Sequence, residues 1–377
     1  MSNTTLTWAI QWNPMRRLWR SALDRLTPYE AGPPLESLQA QLGLPEVVRL
    51  SANGNPLGPS QRAVEAIRAE AARGHLYPDG GGTALREALA RTLGVTPDAL
   101  ILGNGADELL GLTAWAALEP GDEAVIPHPA FEPYASVVAL TGATPVRSPL
   151  VDYRTDLDDM AARVSPRTKV VMLCSPHNPA GTIIRTAEFR RFAAALGTDP
   201  PLVVLDEAYR DFSDDPECTD GVALVPEYPT LIVLRTFSKI AGLAGLRVGY
   251  GIARPEVIGM LNRVRAPYNV NRLAQVAAVA ALEDRAHWER TRQLVIQERR
   301  LLTAELRRLG FVVVPSEANF LLVKIGERAP AFREALLKEG ILVRDGTAVG
   351  FPGHLRITVG TRDQNARLVS VLERPGR

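Results

Sequence analysis

The sequence predicts an α/β protein, with a mostly parallel central sheet in a large domain and a smaller α+β domain after it. Three observations carry this. Short all-apolar runs such as LVVL at 202–205 and LIVL at 231–234 alternate with segments of helical period, as in strands buried on both faces of a parallel sheet. Past residue 284 the rhythm changes to one long helix and several short strands, the pattern of an α+β unit. Finally, 377 residues, 46% hydrophobic and 23% charged, are enough for two cores.

Residues 1–14 read as an extension, because Trp8, Trp12 and Trp19 crowd this end beside Arg16, Arg17 and Arg20. A signal peptide would place basic residues before an unbroken apolar core; here the order is reversed, and the fold is expected to begin near Met15. Residues 15–60 then form an N-terminal arm and part of the smaller domain. Within them 28–60 is rich in proline and glycine, includes SANGNPLGPS, and reads as a loop that wraps something. Ala63, Ile67 and Glu70 predict an exposed helix over 61–73, and a second follows HLYPDGGGT over 84–93. Strands are expected at 99–102, 123–127, 169–174, 202–205 and 231–234, with helices at 106–118, 131–141 and 187–196. These belong to a large domain, 61–284. In a smaller domain, 285–377, a long helix over 286–309 precedes strands at 311–314, 320–325, 341–344 and 355–359, with helices at 331–338 and 363–372.

Composition excludes several classes of function. The formal net charge is +1, too small a field to draw in nucleic acid or an anionic membrane, so a small molecule is the expected partner. Two cysteines, Cys174 and Cys218, make no disulfide framework, and without CxxC or HxxxH spacing no metal site is expected. A cytoplasmic location fits this cysteine usage. No apolar run reaches the roughly 20 residues of a membrane span.

The candidate chemistry sits at strand ends. The chain holds 43 Lys plus Arg, yet lysine occurs only at Lys169, Lys239, Lys324 and Lys338. Lys239 follows an apolar run, and lysine can do what arginine cannot: lose its proton and form a Schiff base with a carbonyl. A leftover surface lysine is the competing reading. Asp206 ends the run PLVVLD, where a carboxylate is costly unless a cation faces it; a helix cap or salt bridge would serve as well. Asn178 lies in the turn CSPHNPAGT, either holding the turn or donating to a ligand. GNGADE at 103–108 resembles a phosphate cradle at a helix start, although glycine turns before helices are common. It lacks the third glycine of a dinucleotide fingerprint. Arg356 alternates with Leu355 and Ile357, so it points away from the core, an orientation that usually means solvent.

Together these pieces resemble a known family, the fold-type-I pyridoxal-phosphate aminotransferases of class I/II, and within it the histidinol-phosphate aminotransferases. The likeness runs from about 26 to 372 through NGNPLGPS, YPDGGGTALREALA, GNGADELL, SPHNPAGT, VVLDEAYRDFS, RTFSKIAGLAGLRVGY, ANFLLV, GILVRD and LRITVG. It implies pyridoxal 5′-phosphate anchored on Lys239, which also shuttles the proton. Asp206 is implied to pair with the ring nitrogen, Tyr209 and Asn178 to hydrogen-bond the phenolic oxygen, and Phe131 to stack on the ring. Gly105, Ala106, Asp107, Thr236, Ser238 and Arg247 would hold the phosphate, with Tyr77 reaching it from a second subunit of a homodimer. For substrate, the likeness implies Arg356 as the grip on the α-carboxylate and Arg344 as the partner of the donor's phosphate or of glutamate's distal carboxylate. Tyr29 in TPYEAG matches an N-terminal substrate flap.

The implied reaction is ping-pong transamination from L-histidinol phosphate to 2-oxoglutarate. An aromatic amino acid aminotransferase shares most of these motifs, and threonine-phosphate decarboxylase uses a similar scaffold with a different lysine motif. A cofactor-sensing regulator would carry a DNA-binding domain, which neither the N-terminus nor the charge balance supplies. Two positions depart from the family's usual wording: Gly54 where Glu is usual, and His177 where Asn is usual. Both bear on the substrate rather than the reaction class.

Overall fold

Strands that are apolar on both faces need cover on both faces, and that requirement organises most of the chain. The computed structural model describes residues 18–26 and 33–374. The chain divides into two units, 1–32 and 33–377. In the first, the described residues hold one 3-10 turn, Ser21–Arg25; the expected extension, the expected start near Met15, and Tyr29 lie outside the described residues.

The second unit begins with α1 (Leu35–Leu42), β1 (Val48–Leu50), α2 (Gln61–Glu70) and α3 (Thr83–Leu93). There follow β2 (Leu100–Gly103), α4 (Ala106–Ala117), β3 (Glu123–His128), α5 (Pro133–Thr141), β4 (Thr144–Pro149) and α6 (Leu157–Ala162). Next come β5 (Thr168–Cys174), α7 (Thr186–Ala195), β6 (Leu202–Asp206), α8 (Gly221–Leu224), β7 (Leu231–Thr236) and β8 (Gly249–Ile252). Three helices, α9 (Pro255–Val264), α10 (Arg272–Glu283) and α11 (Arg285–Arg308), lead to β9 (Val312–Val313) and β10 (Phe320–Lys324). The chain closes with α12 (Ala329–Lys338), β11 (Ile341–Asp345), β12 (His354–Thr358) and α13 (Arg362–Glu373).

Two sheets result. The larger has seven strands in the order β2-β8-β7-β6-β5-β3-β4, and only β8 runs against the others. Side chains alternate across it: Val203, Leu205, Leu231 and Val233 pack with Leu85 and Leu89 on one face, while Val204, Ile232 and Leu234 pack with Leu109 and Leu112 on the other. Truncating a fully buried member such as Leu205 to alanine costs about 2–5 kcal/mol. The smaller sheet has the order β1-β11-β12-β10-β9 and its own core, built around Leu321, Leu355 and Ile357.

The α/β class holds, with local corrections. The stretch expected to be loop over 28–60 contains α1 and β1. β1 is only VRL and gains its partner in β11, where Val48 faces Ile341 in parallel register; nothing local in the sequence announces a pairing across nearly 300 residues. β4, TPVRSP, was not expected as a strand. It lies at the sheet edge, where its prolines are tolerated. The helix expected from 131 starts at Pro133, the strand expected over 311–314 is the two-residue β9, and α9 and α10 fill a stretch that had been left without elements.

Candidate active site

Open parallel sheets bind ligands beyond the carboxyl ends of their strands. In the larger sheet, neighbouring β5, β6 and β7 end at Cys174, Asp206 and Thr236, and Cys174 and Leu234 flank Asp206 in register. The turns that follow carry Asn178, Tyr209, Ser238 and Lys239, while Gly105 to Asp107 follow β2.

Asp206 is buried by the apolar strand that carries it. The Tyr134 hydroxyl donates to its Oδ2 at 2.7 Å and the Ala208 amide to its Oδ1 at 3.0 Å. Burial pushes the carboxyl up to about 6, although both hydrogen bonds favour the charged form. The carboxylate therefore has donors but no ion-pair partner among the described residues. Cys174 beside it has its thiol pushed up by burial and by the Asp206 charge, which makes it inert.

A second group links the two sheets. Asn53, buried and held at a positive φ of 54°, donates through Nδ2 to the Tyr209 hydroxyl at 3.1 Å, and Asn178 Nδ2 donates to the same oxygen at 3.4 Å. Arg356 on β12 donates to Asn178 Oδ1 at 2.7 Å and to the Ser51 carbonyl at 2.8 Å. Lys239 Nζ lies 5.5 Å from the centre of the Tyr209 ring and donates to the Ala52 carbonyl at 3.3 Å. Burial, and then the nearby Arg356 and Arg247 charges, bring the lysine down to about 8, with Asp107 and Asp206 opposing. Burial raises the Tyr209 phenol, against the pull of Arg356 and the Asn53 hydrogen bond.

The third group is a cradle for an anion. α4 opens with no side-chain cap, so its first amides are free. Arg247, in left-handed backbone, donates to Asp107 Oδ2 at 3.0 Å and to Ser238 Oγ at 3.4 Å, and the Ser238 amide donates to Thr236 Oγ1 at 3.0 Å. Gly105, at φ 81°, leaves the space; a Cβ there would sit 2.5 Å from Arg247 Nη2.

The fourth group is cationic. Arg344 and Arg356 are register partners on β11 and β12, so their side chains share one face of the small sheet. Arg356 is only 8% exposed, so the general expectation that an arginine facing away from the core meets solvent fails here: Asn178 and Ser51, brought up from elsewhere, cover it. The one ion pair Arg344 makes among the described residues is with Glu132 Oε1, at 3.7 Å.

Phe131 lies after β3 and meets Tyr134 edge-on at 5.8 Å between ring centres. Tyr77 is 77% exposed and stacks on Tyr268 at 4.8 Å. Sequence reasoning missed three residues. Tyr134 carried a signal, three residues after Phe131 at the start of a helix. Asn53 lay inside the quoted NGNPLGPS, and Glu132 had no mark at all. Of the two departures, Gly54 has open space around a built Cβ. His177 is buried, accepts from the Ala180 amide through Nδ1 at 3.4 Å, and is pushed down to about 4 by burial.

No group of three or more His, Cys, Asp or Glu able to hold a metal ion occurs among the described residues, nor any helix long and apolar enough to cross a membrane. Residues 45–372 match the family model for aminotransferase class I and II. A histidinol-phosphate aminotransferase from Symbiobacterium thermophilum is 47% identical over 94% of this chain and 97% of that protein. One from Moorella thermoacetica is 45% identical over 94% and 92%. Among solved structures, histidinol-phosphate aminotransferase from Sinorhizobium meliloti in complex with pyridoxal 5′-phosphate superposes with a TM-score of 0.86, at 29% identity, covering 94% of this chain and 96% of that one.

Proposed function

The chain belongs to the class I and II aminotransferase family, and from that premise we propose that it transfers the amino group of L-histidinol phosphate to 2-oxoglutarate in a ping-pong cycle dependent on pyridoxal 5′-phosphate. One observation carries the substrate reading: Arg344 and Arg356 share a face, and Arg356 is bonded through Asn178 to Tyr209, beside Lys239. Like charges directly opposite on paired strands repel, and anions relieve that repulsion. 2-Oxoglutarate brings two carboxylates; a phosphate-ester donor brings a dianion to the same place.

The residues fit the cofactor on three counts: a buried carboxylate with no cation, an uncapped helix start beside Ser238 and Arg247, and a lysine brought down to about 8. Pyridoxal phosphate, when bound, supplies an aldehyde for amine exchange and a ring that takes up the electrons of the breaking Cα–H bond. Lys239 anchors it, and because a sizeable share of this amine is neutral near pH 8, Nζ can take the proton from the donor's Cα. Asp206 would pair with the ring nitrogen and keep it protonated. Asn53 and Asn178 donate to the Tyr209 hydroxyl oxygen and leave its proton for the phenolic oxygen, to which Asn178 would also donate, and Phe131 would cover the ring. Gly105, Ala106, Asp107, Thr236, Ser238 and Arg247 receive the phosphate. Arg356 takes the carboxylate next to the reacting carbon of 2-oxoglutarate, and Arg344 takes its distal carboxylate or the donor's phosphate.

The working form is a homodimer in which Tyr77 serves the partner subunit's phosphate site; its high exposure in the single chain supports this. We further assign 61–284 to the cofactor-binding domain, with 285–377 and part of 15–60 forming the smaller one. A cytoplasmic setting suits the two free, buried cysteines.

The test is to mix the holoenzyme with single donors and follow the visible band of the lysine-bound cofactor. Histidinol phosphate should bleach it and 2-oxoglutarate restore it, while phenylalanine acts poorly. Bleaching by aromatic amino acids alone would overturn the donor, and release of carbon dioxide would overturn the reaction class.

A further inference from the structure

We propose that Glu132 is a displaceable counter-ion of Arg344, and that it sets how strongly the enzyme prefers donors with an anionic group over donors without one. This rests on the reading of Arg344 as the distal anion partner.

The two arginines are held differently. Arg356 is fixed by two hydrogen bonds of 2.7 and 2.8 Å to uncharged acceptors. Arg344 meets Glu132 only at 3.7 Å, beyond hydrogen-bond reach, and their side chains are 23% and 43% exposed. Where this chain needs a permanent pair it builds a tight one: Arg235 and Glu207 meet at 2.7 Å with the carboxylate fully buried. The Arg344–Glu132 pair is loose by comparison, and it lies on the face where substrate anions are expected.

Position adds to this. Glu132 sits between Phe131 and Pro133, the first residue of α5, so its backbone is held while its side chain can swing into water. A phosphate or carboxylate arriving at Arg344 lands next to the Glu132 carboxylate, and like charge drives that side chain outward. A neutral donor leaves the pair in place, and Arg344 never stands in the site without a counter-charge. Glu132 thus lowers affinity for anionic donors by what the pair is worth, and protects binding of neutral ones. Half-exposed pairs are worth up to about 1 kcal/mol, so the expected effect is about 2- to 5-fold.

The experiment compares wild type with Glu132→Gln as holoenzyme, in single-turnover half-reactions. Histidinol phosphate and histidinol differ only in the phosphate and serve as the donor pair; inorganic phosphate serves as a competing anion. E132Q should raise the ratio of kcat/KM for histidinol phosphate over histidinol by about 2- to 5-fold, and lower the inhibition constant of inorganic phosphate by a similar factor. In an Arg344→Met background the same substitution should change neither. An unchanged ratio and inhibition constant, or a shift that persists without Arg344, overturns the proposal. Wild type that converts histidinol and histidinol phosphate equally would instead overturn the donor reading. The inorganic-phosphate arm, run with any donor that works, still decides the role of Glu132.

Discussion

Stripped of its cofactor, the protein is expected to lose, as pH rises from about 4 through 6, the stability that protonated Asp206 contributes. An exposed aspartate titrates near 4, whereas burial pushes this one up to about 6 in the folded chain. The folded state thus holds the proton more tightly than the unfolded state. That contribution is complete below about pH 4 and gone above about pH 6, where folding must bury a carboxylate with no cation. A hundredfold difference in proton affinity corresponds to about 3 kcal/mol, roughly 2 of which fall between about pH 4.5 and 7.5. His177 works the other way, since it is pushed down to about 4 and its contribution is gained as pH rises toward the ordinary histidine range. The measurement is therefore a difference: denaturant unfolding of cofactor-free wild type and Asp206→Asn at both pH values. The stability advantage of D206N should grow by about 2 kcal/mol toward the higher pH, and with the cofactor restored to both proteins that growth should disappear. A difference that stays within 0.5 kcal/mol across this range (about the error of such comparisons) would refute the reasoning, because the buried charge would then be compensated within the protein.

Other outcomes follow from the same geometry. Arg356→Lys cannot keep both the Asn178 and Ser51 bonds while gripping a carboxylate, so KM for 2-oxoglutarate should rise about 10- to 100-fold with kcat moved less, the worth of one charged hydrogen bond. Gly105→Ala drives a Cβ to 2.5 Å from Arg247 Nη2, and the cofactor dissociation constant, read by equilibrium titration, should rise at least tenfold while helix content stays constant. Asn53→Ala removes the 3.1 Å donor to Tyr209 and the Oδ1 acceptor of the Thr358 hydroxyl and strains a positive φ, whereas Asn53→Gly removes the same two bonds without the strain. Both should lower kcat/KM equally, with thermal unfolding showing an additional loss of roughly 1 kcal/mol only for alanine.

Much of this was legible because strand and ligand chemistry obey local rules. LVVLD and LIVLRTFSK announce a buried strand followed by polar groups, and the polar end of such a strand is where a parallel sheet exposes its ligand site. The glycine turn before α4 was readable in the same way. What could not be read was pairing between distant segments. β1 has three residues and exists as a strand only because Ile341 to Val343 lie alongside it. Arg356 looked solvent-facing because nothing near it in sequence says that Ser51 and Asn178 will close over it. By pattern Tyr134 is an ordinary helix tyrosine, and its role comes from the 2.7 Å bond to Asp206.

The segment first read as loop gives the clearest case. In five consecutive residues, the Ser51 carbonyl takes a bond from Arg356, the Ala52 carbonyl one from Lys239, and Asn53 gives one to Tyr209. The Asn53 and Gly54 carbonyls both accept from Asn319 Nδ2, and Asn55 Nδ2 donates to the Ile240 carbonyl. Backbone groups do most of this work, which is why no side-chain pattern betrayed it. Position 54 itself contributes a carbonyl, and a Cβ there meets nothing within 4 Å. At His177 the main chain holds the turn that carries Asn178, its amide donating to the Thr182 carbonyl and its carbonyl accepting from the Gly181 amide, beside the Ala180 amide's bond to its Nδ1. Main-chain bonds at both positions thus hold the segments that carry Asn53 and Asn178.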